Sequence, residues 1–227
     1  MNLILSIIIT GIISIFFCNN IKKHKNCYYI AASIIAILTL GFEIYKICTG
    51  VKPDPNILIT LERTSAKGII SIGFFIIVMY AGALNSKWNI TKNLLRIRGE
   101  LAIIASILML PHGIIYGYKF LFLNLPKLIA EGNFPILYLL VSVVGIIAFL
   151  LMIPLFITSF IKIRKKMNAV KWKKLQRWAY LFYLLAYVHV LILLVNSKVI
   201  NWTKLITYTI VFGIYAVLRT AKAIKNK

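Results

Sequence analysis

Seven apolar runs dominate this chain, at residues 2–18, 27–48, 67–84, 99–121, 135–159, 177–195 and 203–219. Each approaches or reaches the roughly 20 residues that a helix needs to cross a bilayer core. In hydrocarbon every peptide group must find its partner inside the protein, so such runs read as helices. The predicted fold class is all-α: a polytopic membrane helical bundle of about seven transmembrane helices. Composition agrees, since 61% of the residues are hydrophobic and only 14% are charged. That is too little charge for the surface of a soluble domain. Polar or breaking residues bound the runs, among them Asn19-Asn20, Gly50, Asn85-Ser86, Asn124 with Pro126, and Asn196-Ser197.

The formal net charge is +22. The basic residues sit in short runs between apolar spans, so the charge reads as membrane topology and not as a nucleic-acid surface. Alternate connections carry Lys22, Lys23 and Lys25; then Lys87, Lys92, Arg96 and Arg98; then eight cations over 162–177; then Arg219, Lys222, Lys225 and Lys227. These make up 19 of the 27 Lys and Arg residues. The positive-inside bias predicts a multi-pass protein of a bacterial inner (cytoplasmic) membrane, N-terminus outside and C-terminus cytoplasmic.

Residues 3–17 lack a preceding basic region and a small-residue cleavage site, and are expected to be a first membrane segment, not a removed signal. Cys18, Cys27 and Cys48 are odd in number and have no CxxC spacing, which predicts neither a disulfide framework nor a zinc site. Residues 57–63, after the outer loop at Pro53-Asp54-Pro55-Asn56, suit a short interfacial helix. No GxGxxG motif follows a strand, so a flavin or nicotinamide domain of the usual kind is not expected.

Three histidines occur. His24 lies in a basic loop and is expected to be solvated. His112 and His189 fall deep inside apolar helices, where ionisable side chains are costly and mark function. His112 comes 14 residues after Arg98 and His189 comes 13 after Gln176. At the helical rise both imidazoles lie roughly 20 Å from the basic boundary, on helices that run the same way. Two histidines at matching depth on parallel helices suit bis-imidazole ligation of haem iron. The plainer alternative is two neutral histidines hydrogen-bonded to carbonyls or hydroxyls. Gly113 and Gly117 form a GxxxG spacing that admits a macrocycle or a second backbone. Pro111 is expected to kink the helix before His112. Met109 and Tyr116 share the face of His112; Phe182, Leu185 and Leu193 share that of His189.

Four stretches carry a family resemblance: Thr49-Gly50 with Pro53-Asp54-Pro55; Arg96-Ile97-Arg98-Gly99 leading to His112; Thr158-Ser159, a basic run and Trp172-Lys173-Lys174-Leu175; and Arg177-Trp178-Ala179-Tyr180-Leu181 leading to His189. In this order they resemble the ferric reductase-like transmembrane family, most nearly its MsrQ (YedZ) branch, the haem-bearing membrane subunit of a periplasmic methionine sulfoxide reductase system. The resemblance covers residues 27–219. It implies a domain over 27–227, with 1–26 as an additional transmembrane helix and basic loop.

The resemblance also implies a membrane electron-transfer subunit of an oxidoreductase, with His112 and His189 as metal ligands of haem b. The branch carries Trp-x-x-Leu-His, but Gln176 stands at that histidine here, and Arg98 stands where a two-haem relative keeps a second partner. One haem per chain is therefore expected, nearer the outer face. Arg98, Gln176 and Arg177 are expected to bind cofactor through carboxylate or phosphate groups. Electrons would come from a cytoplasmic or membrane donor, FMN or a quinone being the candidates, and leave to an extracytoplasmic redox partner protein. The lipid bilayer is the remaining expected partner, and nucleic acid is not expected. The rival reading is a haem-free membrane protein, a small transporter or assembly factor, whose haem site has decayed.

Glu43 is expected to pair with Lys46, and Glu100 to sit at the positive end of a helix near Arg96. The cations over 162–177 serve topology and anionic lipid, or dock an acidic electron donor.

Overall fold

The computed structural model describes residues 3–51, 53, 54, 56–197 and 199–225. Asn2, Pro55 and Lys227, which belong to the first span, the outer-loop motif and the basic tail, lie outside the described residues. Those described form helices and connecting turns, with no strand among them. The helices are α1 (Leu3–Phe16), α2 (Cys18–Lys23), α3 (Lys25–Thr49), α4 (Ile57–Ala66), α5 (Ile69–Ala83), α6 (Asn89–Tyr118), α7 (Leu125–Glu131), α8 (Ile136–Ile157), α9 (Ile161–Arg164), α10 (Ala169–Gln176), α11 (Trp178–Val195) and α12 (Trp202–Lys225). A π-helical segment, Lys119–Asn124, joins α6 to α7.

Five helical stretches are long and apolar enough to cross a membrane: Lys25–Thr49, Asn89–Glu131, Ile136–Ile157, Ala169–Val195 and Trp202–Lys225. α4 and α5 pass the same test only as a pair bent by 55° at their junction, which makes the candidate spans six if that pair counts as one. α1 is apolar but has only 14 residues. Their outward faces are what hydrocarbon requires: Ile37, Leu38, Ile136 and Val217 are each more than 60% exposed. The sequence places these spans well. It misses the bend between α4 and α5 at Gly68, whose φ of +70° is a left-handed conformation that glycine adopts cheaply.

The chain forms two compact units, residues 1–112 with 210–227, and residues 113–209. In the first, α1 buries a polar stripe of Ser6, Thr10 and Ser14, spaced by four and nearly inaccessible. Small residues let helix backbones approach in a membrane, where apolar bulk gains nothing over lipid. Gly73 of α5 meets this stripe. A Cβ there would collide with Ser6 Oγ and come within 2.9 Å of Thr10 Oγ1. Ser6 Oγ donates across to Ile69 O (2.8 Å), and Ser71 Oγ donates to Ala105 O of α6 (2.6 Å).

α6 begins at Asn89, ten residues before the predicted start of its span. Glu100 is therefore interior to the helix and does not open it. It is buried and accepts from Lys22 Nζ at 2.7 Å. Glu43 pairs with Lys46 as expected, and Glu62 of α4 joins them, with Oε2 3.2 Å from Lys46 Nζ. α12 docks on α5 through Tyr80 Oη, which donates to Val211 O at 2.7 Å.

In the second unit α8 and α11 pack together. Asn168 precedes α10 as its N-cap, its side chain accepting from the N–H groups of Val170 and Lys171. Arg164 of α9 lies over the Trp172 ring, 4.5 Å from its centroid.

Candidate haem-ligand histidines

His112 and Arg98 lie on α6 in the first unit. In the second unit, His189 lies on α11, Gln176 ends α10, and Arg177 stands at the junction of α10 and α11. His24 is exposed, in the turn between α2 and α3.

The two intramembrane histidines share one arrangement. His112 Nδ1 is 3.1 Å from Ala66 O, and His189 Nδ1 is 2.9 Å from Val141 O. A backbone carbonyl oxygen only accepts, so each Nδ1 carries the proton and donates it. In the neutral imidazole that leaves the lone pair on Nε2. This is the tautomer and the backbone support found behind metal-bound histidines, where the second nitrogen's hydrogen bond fixes ring orientation and raises ligand basicity. The donor set therefore fits a group that takes axial imidazole nitrogen. Among the described residues no three His, Cys, Asp or Glu side chains converge as a metal site of another kind.

The two carbonyls become accessible in different ways. α4 ends at Ala66, and the carbonyls of a last helical turn lack intrahelical partners. The break at Gly68 thus presents the Ala66 oxygen to His112. Gly68 also makes room: a Cβ there would stand 2.9 Å from Met109 Sδ and 3.4 Å from His112 Cγ. Val141 lies inside α8, where its carbonyl serves the N–H of residue 145 in the helical ladder. A second donor reaches it because residue 145 is glycine. A Cβ on Gly145 would lie 2.8 Å from both Cε1 and Nδ1 of His189. Sequence reasoning missed Gly145, although a lone glycine in the most apolar span is the kind of signal that marks close approach.

The GxxxG spacing divides. A side chain at Gly113 would collide with the Phe149 ring, whereas Gly117 has nothing within 4 Å of a Cβ position. The partner of Gly113 is thus a side chain, and α6 continues through Pro111 as one helix. Of the other face residues, Phe182 is buried and packs on Tyr183, with ring centroids 5.4 Å apart.

Trp172 of the third sequence stretch and Gln176, just after it, meet at Thr158. Trp172 Nε1 donates to Thr158 O and Gln176 Nε2 donates to Thr158 Oγ1, both at 3.1 Å. Thr158 Oγ1 donates in turn to Pro154 O at 2.6 Å. Gln176 thus braces the end of α8 with its amide. Arg177 is exposed. Arg98 is part-buried and donates no hydrogen bond to any described residue.

These features define an all-α, polytopic membrane protein with two intramembrane histidines held in one tautomer. Residues 67–187, more than half of the chain, match the ferric reductase like transmembrane component family, and the chain belongs to that family. The matched region takes in Gly68, Arg98, His112, Gly145 and Gln176 and ends just short of His189. An uncharacterised protein of Treponema pallidum (strain Nichols) is 29% identical over 211 residues, covering 91% of this chain and 56% of the relative. The chain therefore spans little more than half the length of that relative. No solved structure matches the chain.

Proposed function

We propose that this protein carries electrons within the membrane through one b-type haem, with Nε2 of His112 and of His189 as the axial ligands. The observation that carries the reading is the shared Nδ1–H donation of both histidines to backbone carbonyls, which in the neutral imidazole puts the lone pair on Nε2, the nitrogen that an axial ligand uses. Family membership supports the same function. The haem would supply one-electron chemistry. The chain supplies the ligand nitrogens, fixes both rings through Ala66 and Val141, and surrounds them with apolar helix.

One haem per chain follows from the remaining residues. Gln176 is a weak ligand whose amide already serves Thr158, and Arg98 stays protonated with no lone pair to offer. Arg98 and Arg177 are assigned to the electron-input side, where a flavin or quinol donor, or a cytoplasmic donor protein, would be met. Positive-inside asymmetry places that side in the cytoplasm of a bacterial cell, with the acceptor an extracytoplasmic redox protein. A reporter fused at Asn56 then reads outside and one at the C-terminus reads inside.

The test is haem retention in purified variants. His112→Ala and His189→Ala should each lose most of the bound haem, because iron loses one of two axial ligands. His24→Ala should retain it. Unchanged spectra in both intramembrane variants would overturn the assignment.

A further inference from the structure

The chain turns from α5 into α6 through residues 84–88, and the start of α6 is left open. Lys92 N donates to Trp88 O at 3.0 Å, the first bond of the helical ladder, so Trp88 holds the N-cap position. An indole has a donor and no acceptor, so it cannot cap. The N–H groups of Asn89, Ile90 and Thr91 have no partner among the described residues. These amides and the dipole behind them make a long helix's first turn receptive to an anion.

A second, independent feature points the same way. Thr91 is fully buried, and its hydroxyl has no hydrogen-bond partner. Helical threonines elsewhere in the chain satisfy themselves on the carbonyl four residues back, as Thr10, Thr64, Thr207 and Thr220 do. Thr91 makes no such bond to Lys87 O. A buried hydroxyl left unpaired is costly and calls for a reason. Thr91 lines a cleft of about 580 Å³ with Leu84, Lys87, Trp88, Asn89 and Ile90. Lys87 is exposed there, and its ammonium makes no hydrogen bond or ion pair with any described residue. One cleft thus gathers open amides, an unpaired hydroxyl and an ammonium.

The remaining walls say which anion. Leu84, Trp88 and Ile90 are apolar, and Trp88 and Ile90 are 58% and 54% exposed. Leu84 directly follows the last residue of α5, where the apolar run ends and the basic connection begins. A tryptophan and a lysine side by side at that level suit the boundary between hydrocarbon and water. We infer that the cleft at the start of α6 binds the headgroup phosphate of an anionic phospholipid. The amides, the Thr91 hydroxyl and Lys87 take the phosphate oxygens, and Trp88 and Ile90 lie against the lipid's apolar part. The inference goes beyond electron transfer and does not depend on haem ligation.

The experiment uses the full chain in nanodiscs of phosphatidylcholine alone or with phosphatidylglycerol. Lipid retention is read by native mass spectrometry, and binding of inorganic phosphate by equilibrium dialysis in the phosphatidylcholine discs. Wild type is compared with Thr91→Val, Thr91→Ser, Lys87→Gln and Lys92→Gln. Valine replaces threonine at nearly the same shape and removes only an unpaired hydroxyl, so folding is preserved. Lys92 is exposed and lies outside the cleft, which makes it the charge control. The expected result is that wild type retains phosphatidylglycerol in preference to phosphatidylcholine. Thr91→Val and Lys87→Gln should each weaken that retention about tenfold, while Thr91→Ser and Lys92→Gln keep it. No preference for phosphatidylglycerol, wild-type retention in Thr91→Val, or equal losses in Thr91→Ser and Thr91→Val would overturn the inference. Binding of inorganic phosphate without retention of the lipid would overturn it too, by assigning the site to a soluble anion. Haem content measured on the same samples tests the histidine assignment separately.

Discussion

Substituting Gly145 probes how His189 is held. A Cβ at this position would lie 2.8 Å from Cε1 and Nδ1 of His189, against the roughly 3.5–4.0 Å of an ordinary carbon contact. Relief requires the ring and α8 to part by about 0.7–1.2 Å. Added to the present 2.9 Å between Nδ1 and Val141 O, that separation exceeds hydrogen-bond range. The lost hydrogen bond contributes about 1 kcal/mol and the overpacking costs roughly 1–3 kcal/mol. If half or more of that falls on the ligand-competent state, haem affinity drops roughly 5- to 30-fold for Gly145→Ala, at 1.4 kcal/mol per tenfold. Gly145→Val, which adds two further methyl groups, should drop it more. Haem titration of the apo-protein reads the affinity, and ¹⁵N-histidine NMR of the same apo-protein reads the tautomer. Wild type should show Nδ1–H at position 189, with mixed tautomers in the variants. Wild-type haem affinity together with the Nδ1–H tautomer in Gly145→Val would refute the reasoning.

Gly68→Ala should lower thermal stability by about 1–2 kcal/mol, because φ is +70° there and the new methyl meets Met109 and His112; unchanged stability by thermal unfolding in detergent would contradict this. Gly117→Ala should be nearly silent in the same assay, since that Cβ position is open. Gly73→Leu should detach α1 from α5 by filling the place of Ser6 and Thr10, seen as faster proteolysis of the N-terminal segment, whereas Gly41→Leu, with open space, should not.

The spans were legible because lipid imposes length and apolarity on them, and Lys25–Thr49 and Ile136–Ile157 fall within two residues of their sequence-based ends. The break before α5 was not legible, since Lys67-Gly68 only becomes a corner when α4 packs beside α3 and α5. The site divides along the same line. His112 and His189 were visible as ionisable groups in apolar runs, and Arg98 as a cation beside one. Their partners, Ala66 O and Val141 O, are backbone atoms brought up from 46 and 48 residues away, and no residue type announces them. Gln176 was legible as a departure from its family, but its bond to Thr158 depends on how α10 folds back on α8.

Haem stoichiometry of the purified protein tests the central claim most directly. A pyridine-haemochrome assay against protein concentration, with the reduced visible spectrum recorded on the same sample, should give one low-spin, six-coordinate b-type haem per chain. A colourless protein after haem-supplemented expression, or two haems per chain, would contradict it.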